Sequence, residues 1–238
     1  MMTLFDFSRP KKADSVPSDL SVEKLLKLSG IYGLEEDAKI LAIRKFKGDC
    51  DQGFRINYET DDFVLKVHIN ARQKRIVIYD FENKKSKKDN IKIGLSTDVM
   101  DSIIQSCKAF NYSSIHCIAY ASSSDDIKLK RKFQGYSLCG LLGFVMDEHH
   151  LKEDEENGDI FNFKKWCKEH RIEEMLNLKS PTLFEIIKTK KGYTYWKNHG
   201  KAWEGTFKIN DPKCHEIFNE GKKRLQIIKE AKKRKQKN

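Results

Sequence analysis

Five consecutive residues, Ile93-Gly94-Leu95-Ser96-Thr97, stand where a short apolar run turns at a glycine and an amphipathic helix begins. The N–H groups in the first turn of a helix are unpaired and partly positive, so a pyrophosphate can lie against them where no side chain blocks its approach. Gly94 permits that approach, Ser96 is small, and the hydroxyls of Ser96 and Thr97 add donors. Lys92, or Lys87 and Lys88 upstream, can supply a cationic phosphate partner. The same residues also fit a plain turn into a core helix with Ser96 as its N-cap.

Other residue types capable of chemistry are scattered. Cys139 is a possible nucleophile, but spacing gives it no partner histidine, and the alternative is a buried structural thiol. Cys167 with His170, and Cys214 with His215, are zinc-type ligands without finger spacing, so no metal site is expected. His68 and His116 fall in strand patterns, where a hydrogen-bonded core imidazole is the expectation. Asp147-Glu148-His149-His150 reads as a solvated loop, and Trp166, Trp196 and Trp203 read as core aromatics.

The elements that must position these groups follow from periodicity. Residues 1–20 combine two of the four prolines with serine and charge, as in a flexible arm. Ser21 caps a short helix reaching Leu28, and Glu35-Glu36-Asp37 is expected to open a second helix carrying Ile40, Leu41 and Ile43. Phe54 to Tyr58, Phe63 to Ile69 and Arg75 to Phe81 read as an antiparallel meander, followed by an exposed polar insertion at 83–90. Val99, Met100, Ile103, Ile104 and Cys107 share one face of the next helix, and Tyr112 to Ala121 reads as a buried central strand. Beyond residue 150, a helical, aromatic-rich extension is expected to reach residue 220, with Lys190-Lys191-Gly192 and Asn198-His199-Gly200 as its punctuation. A basic tail occupies 221–238.

Composition narrows the class. The chain has 238 residues, 39% hydrophobic and 11% aromatic, enough for an ordinary core. Six cysteines without framework spacing point to a reducing cytoplasmic compartment, and no apolar run approaches the roughly 20 residues of a membrane span. The net charge of +11 is concentrated at one end. Lys222 to Asn238 holds nine Lys or Arg against Glu230 alone, eight of those net charges. Lys222, Lys223, Arg224, Lys232, Lys233 and Arg234 thus form a candidate salt-sensitive nucleic-acid contact, or else a solvated, fraying helix end.

Strand, glycine turn, amphipathic helix, strand, and then Gly135-Tyr136-Ser137-Leu138-Cys139-Gly140-Leu141-Leu142-Gly143-Phe144 together resemble the GCN5-related N-acetyltransferase (GNAT) family over about residues 52 to 147. The family signature is Arg or Gln, two residues, Gly, one residue, Gly or Ala. Ile91, Gly94 and Ser96 fall on these positions, and the middle glycine agrees. Gly-Tyr followed by Leu-Gly-Phe is similar to a branch found near phages and polymorphic toxins, in which an aromatic segment like Gly192 through Phe207 also occurs. The resemblance implies an α+β fold with a mixed, mostly antiparallel sheet flanked by helices, with Ile93 to Thr97 at the pyrophosphate of acetyl-coenzyme A. It implies acyl transfer to an amine on a small molecule or protein. The family places its acid, a tyrosine, where this chain has Cys139; Tyr136, one turn earlier, is the substitute. Asp80 or Glu82, or an acid acting through water, would accept the amine's proton, and Asp80 and Glu82 equally read as strand-end solubility charges. The alternative is a catalytically silent domain of this fold that binds protein or nucleic acid through its tail.

Overall fold

Ser21 begins the described fold as a helix cap: its side chain accepts from the Lys24 N–H, and helix α1 (Val22–Leu28) follows. The computed structural model describes residues 20–47, 52–61, 63–83, 95–119, 135–147, 150–151, 162–172 and 182–237. The expected arm and the polar insertion at 84–90 lie outside the described residues. Helix α1 ends in a left-handed glycine, Gly30, with the N–H of Ile31 returning to Leu26 and that of Gly30 to Lys27. This bond pair terminates the helix and buries Ile31.

A helix was expected after Glu35. The structure has one 3-10 turn there, Glu35–Asp37, and then strand β1 (Ile40–Lys47). Ala38 is already extended, and each residue from Ile40 to Lys47 has a partner in β2 (Gln52–Glu59). Pairing of all eight residues with the next strand here overrides the local helix signal. Strands β3 (Phe63–Asn70) and β4 (Arg75–Asn83) complete the antiparallel meander. The β3–β4 register shifts between Lys66 and Val67, leaving Tyr79 as the extra residue of a bulge on β4.

Helix α2 (Leu95–Ala109) buries Val99, Met100, Ile103, Ile104 and Cys107, the face read from the sequence. Strand β5 (Ser114–Ala119), helix α3 (Gly135–Leu141) and strand β6 (Val145–Met146) come next. Helices α4 (Phe163–Glu169), α5 (Leu183–Ile187) and α6 (Lys190–His199), strand β7 (Trp203–Lys208) and helix α7 (Pro212–Lys237) complete the chain. Two features differ from the expected helical extension. Lys190-Lys191-Gly192 forms the first turn of α6 rather than a break, because Thr189 caps it through the Gly192 N–H. Trp203-Glu204-Gly205-Thr206-Phe207 alternates buried and half-buried residues and pairs with β6 as a strand.

The fold is α+β, with a seven-stranded, mostly antiparallel sheet in the order β1-β2-β3-β4-β5-β7-β6. Two compact units divide the chain: Met1–Ile115 with Leu225–Asn238, and His116–Arg224. Phe63, Leu65, Ile56 and Ile69 are fully buried in the first, and Trp196, Trp203, Phe163 and Phe207 in the second. Among the described residues no helix is long and apolar enough to cross a membrane.

Gly143, between α3 and β6, has φ +88, and a Cβ there would sit 2.4 Å from the Cys214 carbonyl oxygen and 2.8 Å from the Phe207 ring. Both the backbone conformation and the space exclude a side chain. Gly143→Ala is expected to lower unfolding free energy by about 2–4 kcal/mol, read as a lower urea midpoint at unchanged m. A midpoint equal to the parent's would contradict this packing.

Candidate functional site

Among the described residues, a group of metal-type side chains lies in the His116–Arg224 unit and is built by the β6–β7 ladder. Val145 pairs with Thr206 and Met146 with Gly205. The ladder continues one step, because the Asp147 N–H donates to the Glu204 carbonyl at 3.1 Å. Asp147 therefore stands opposite Glu204. Period-2 alternation on β7 sends Glu204 and Thr206 to the face opposite Trp203, Gly205 and Phe207. β5 is the other neighbour of β7, and it contributes His116.

His116 is buried, with Asp147 Oδ2 3.3 Å from Nδ1 and Glu204 Oε2 3.5 Å from Nε2. The Thr206 hydroxyl donates to Asp147 Oδ1 at 2.7 Å, and its oxygen lies 3.3 Å from His116 Nδ1. A hydroxyl has one proton, and here it goes to the carboxylate. The contact with His116 therefore requires a proton on Nδ1, which leaves Nε2 turned toward Glu204. His150, expected in a solvated loop, is buried. Its Nε2 accepts from the Glu204 N–H at 2.8 Å, and its own N–H donates to the Asp147 carbonyl at 3.0 Å. Backbone and imidazole together pin the two acids that face His116.

The residues singled out from the sequence fall in different places. Ile93 and Gly94 lie outside the described residues, and Leu95 is the first residue of α2. Ser96 and Thr97 are buried in its first turn and are engaged there. Tyr136 lies in the first turn of α3, its side chain outside the described residues, and Cys139 is buried on the same helix. Asp80 pairs with Lys66 across the β3–β4 ladder at 2.9 Å. In the tail, Lys222 lies over the Phe218 ring, and the Arg224 guanidinium donates to the Ile187 carbonyl and covers Tyr193. Burial lowers the pKa of Arg224. Lys223 is exposed. Lys232, Lys233 and Arg234 belong to α7 by backbone, their side chains outside the described residues.

The histidines of the two Cys–His pairs have other partners. His170 Nδ1 meets the Tyr195 hydroxyl at 2.6 Å, and His215 Nε2 meets the Ile209 carbonyl at 2.6 Å. Trp166, Trp196 and Trp203 are core residues, as their apolar setting implied. The carboxylates around His116 were missed because they come from distant parts of the chain; Thr206 alone is 90 residues away. The alternation in Trp203 to Phe207 was the available signal, since it places Glu204 and Thr206 on one strand face.

No protein-family model matches the chain, and no curated protein matches it.

Burial pushes the Cys107 thiol up to about 12 and the Cys167 thiol up to about 11. The Cys117 thiol is also raised, first by burial and then by its hydrogen bond to Cys139. The thiolate is the reactive form, so at about pH 8 Cys107 and Cys167 are expected to react with Ellman's reagent only as the protein opens, and fully in concentrated urea. Folded thiols with raised pKa hold protons that the unfolded chain releases. Their contribution is therefore complete below the ordinary thiol value of 9.0 and is lost as pH rises above it. Fast native labelling of either residue would contradict their burial.

Proposed function

We propose that this chain is an acyl-coenzyme A dependent N-acyltransferase that moves an acetyl group from the thioester to an amine on a small molecule or protein. The observation that carries the reading is the order β4, α2, β5, α3, closed by the left-handed Gly143 and the buried Phe144. Supporting it, α2 begins at Leu95, immediately after Gly94, so the positive end of its helix dipole follows the glycine directly. Ser96 and Thr97 are buried in that turn, and the proposed phosphate contact is with the helix terminus rather than with their hydroxyls. Transfer requires a neutral amine and a proton for the departing thiolate. Tyr136, one helical turn before Cys139, is the proposed acid. Asp80 is the proposed acceptor of the amine's proton, and it must first leave Lys66.

Titration calorimetry with acetyl-coenzyme A tests the reading. Saturable binding is expected for the parent and none for Gly94→Glu, whose carboxylate would occupy and repel the phosphate position. No heat from the parent, or equal heat from both, would dispose of it.

A second reading, a nucleic-acid-binding module, is favoured by α7 itself, which runs as one helix from Pro212 to Lys237 and so carries the terminal cations on a regular scaffold. If these cations hold duplex DNA, replacing Lys232, Lys233 and Arg234 by glutamine reduces the slope of log K against log salt by up to about 2.7, at about 0.9 per phosphate. An unchanged slope would rule out the tail as the contact.

A further inference from the structure

We propose that His116, Asp147 and Glu204 form a binding site for one divalent transition-metal ion of the zinc class, independent of acyl transfer. One ring nitrogen and one oxygen from each carboxylate lie within 4.8 Å of one another. Ligands about 2.1 Å from a tetrahedral ion are about 3.4 Å apart, so the 3.5 Å between His116 Nε2 and Glu204 Oε2 already matches. Asp147 Oδ2 now lies beside the other ring nitrogen, Nδ1, at 3.3 Å, and a turn of its side chain toward Nε2 closes the set.

Charge gives the second argument. Among the described residues, the one basic side chain paired with both Asp147 and Glu204 is His116. A protonated imidazole offsets one of two carboxylate charges, whereas a divalent ion balances both and leaves the imidazole neutral as a ligand. One nitrogen with two carboxylate oxygens suits zinc better than magnesium, which prefers oxygen ligands and retained water.

The surroundings also hold the donors in place. Thr206 orients Asp147 and accepts from His116 Nδ1–H, fixing the tautomer that presents Nε2; the backbone N–H of Glu204 is anchored on His150. Glu204 is 44% exposed, which provides an entry path and room for a water as fourth ligand.

The experiment uses the full chain, stripped with EDTA and titrated with zinc chloride by calorimetry, with magnesium chloride as control. One zinc per chain is expected, with no magnesium heat. Glu204→Gln and Asp147→Asn are each expected to weaken zinc binding by more than tenfold, and Thr206→Val by about tenfold. Glu204 is exposed enough that its variant tests the site without threatening the fold, and zinc should raise the melting temperature of the parent but not of Glu204→Gln. Cobalt(II) should give visible ligand-field bands without thiolate charge transfer. Absence of stoichiometric zinc binding, equal binding by parent and Glu204→Gln, or a thiolate band would overturn the proposal.

Discussion

Two ladder positions, Val145 opposite Thr206 and Met146 opposite Gly205, govern the polar chemistry of the His116–Arg224 unit. Strand side chains alternate between faces, so a one-residue slip would turn Glu204 and Thr206 into the apolar layer and bring Trp203 and Phe207 out of it. The apolar residues thus enforce the register, and the register places the acids. Trp203 and Phe207 are fully buried, which makes any other pairing costly. The left-handed turn at Gly143 delivers the chain to β6, so the ladder depends on a position that admits no side chain.

The same dependence of polar groups on apolar ones appears in the Met1–Ile115, Leu225–Asn238 unit. The β1–β4 meander is antiparallel throughout, and its bulge at Tyr79 shifts the register between Lys66 and Val67. Lys66 and Asp80 face each other across this irregular step and form an ion pair, half exposed on the lysine side. Exposed pairs of this kind contribute little to stability. The apolar face of α2 and the buried residues of β3 carry the fold here, while the bulge leaves an unpaired residue on β4.

Charge is distributed unevenly in both kind and setting. The excess cations reside near the end of α7, where Arg224 is already drawn into protein contacts with Ile187 and Tyr193. Carboxylates gather instead on one imidazole, in a partly buried place where their repulsion is less screened than at the surface. A tail of lysines attracts polyanions at long range, whereas a pair of acids on one histidine attracts a small cation at contact distance.

Elements whose apolar residues repeat within a few positions were legible in the amino-acid sequence alone: α1 with its Ser21 cap, the β2–β4 meander, the buried face of α2 and the strand at β5. Local spacing determines which face is apolar, and burying that face determines the element. Where local and distant preferences disagreed, only the tertiary structure decided. Ile40 to Lys47 became a strand because β2 offered eight partners, and Trp203 to Lys208 became one through its ladder with β6. The group around His116 belongs wholly to this second class. His116, Asp147 and Glu204 meet because β-sheet pairing joins residues by register rather than by separation along the chain, and no spacing in the sequence encodes that distance.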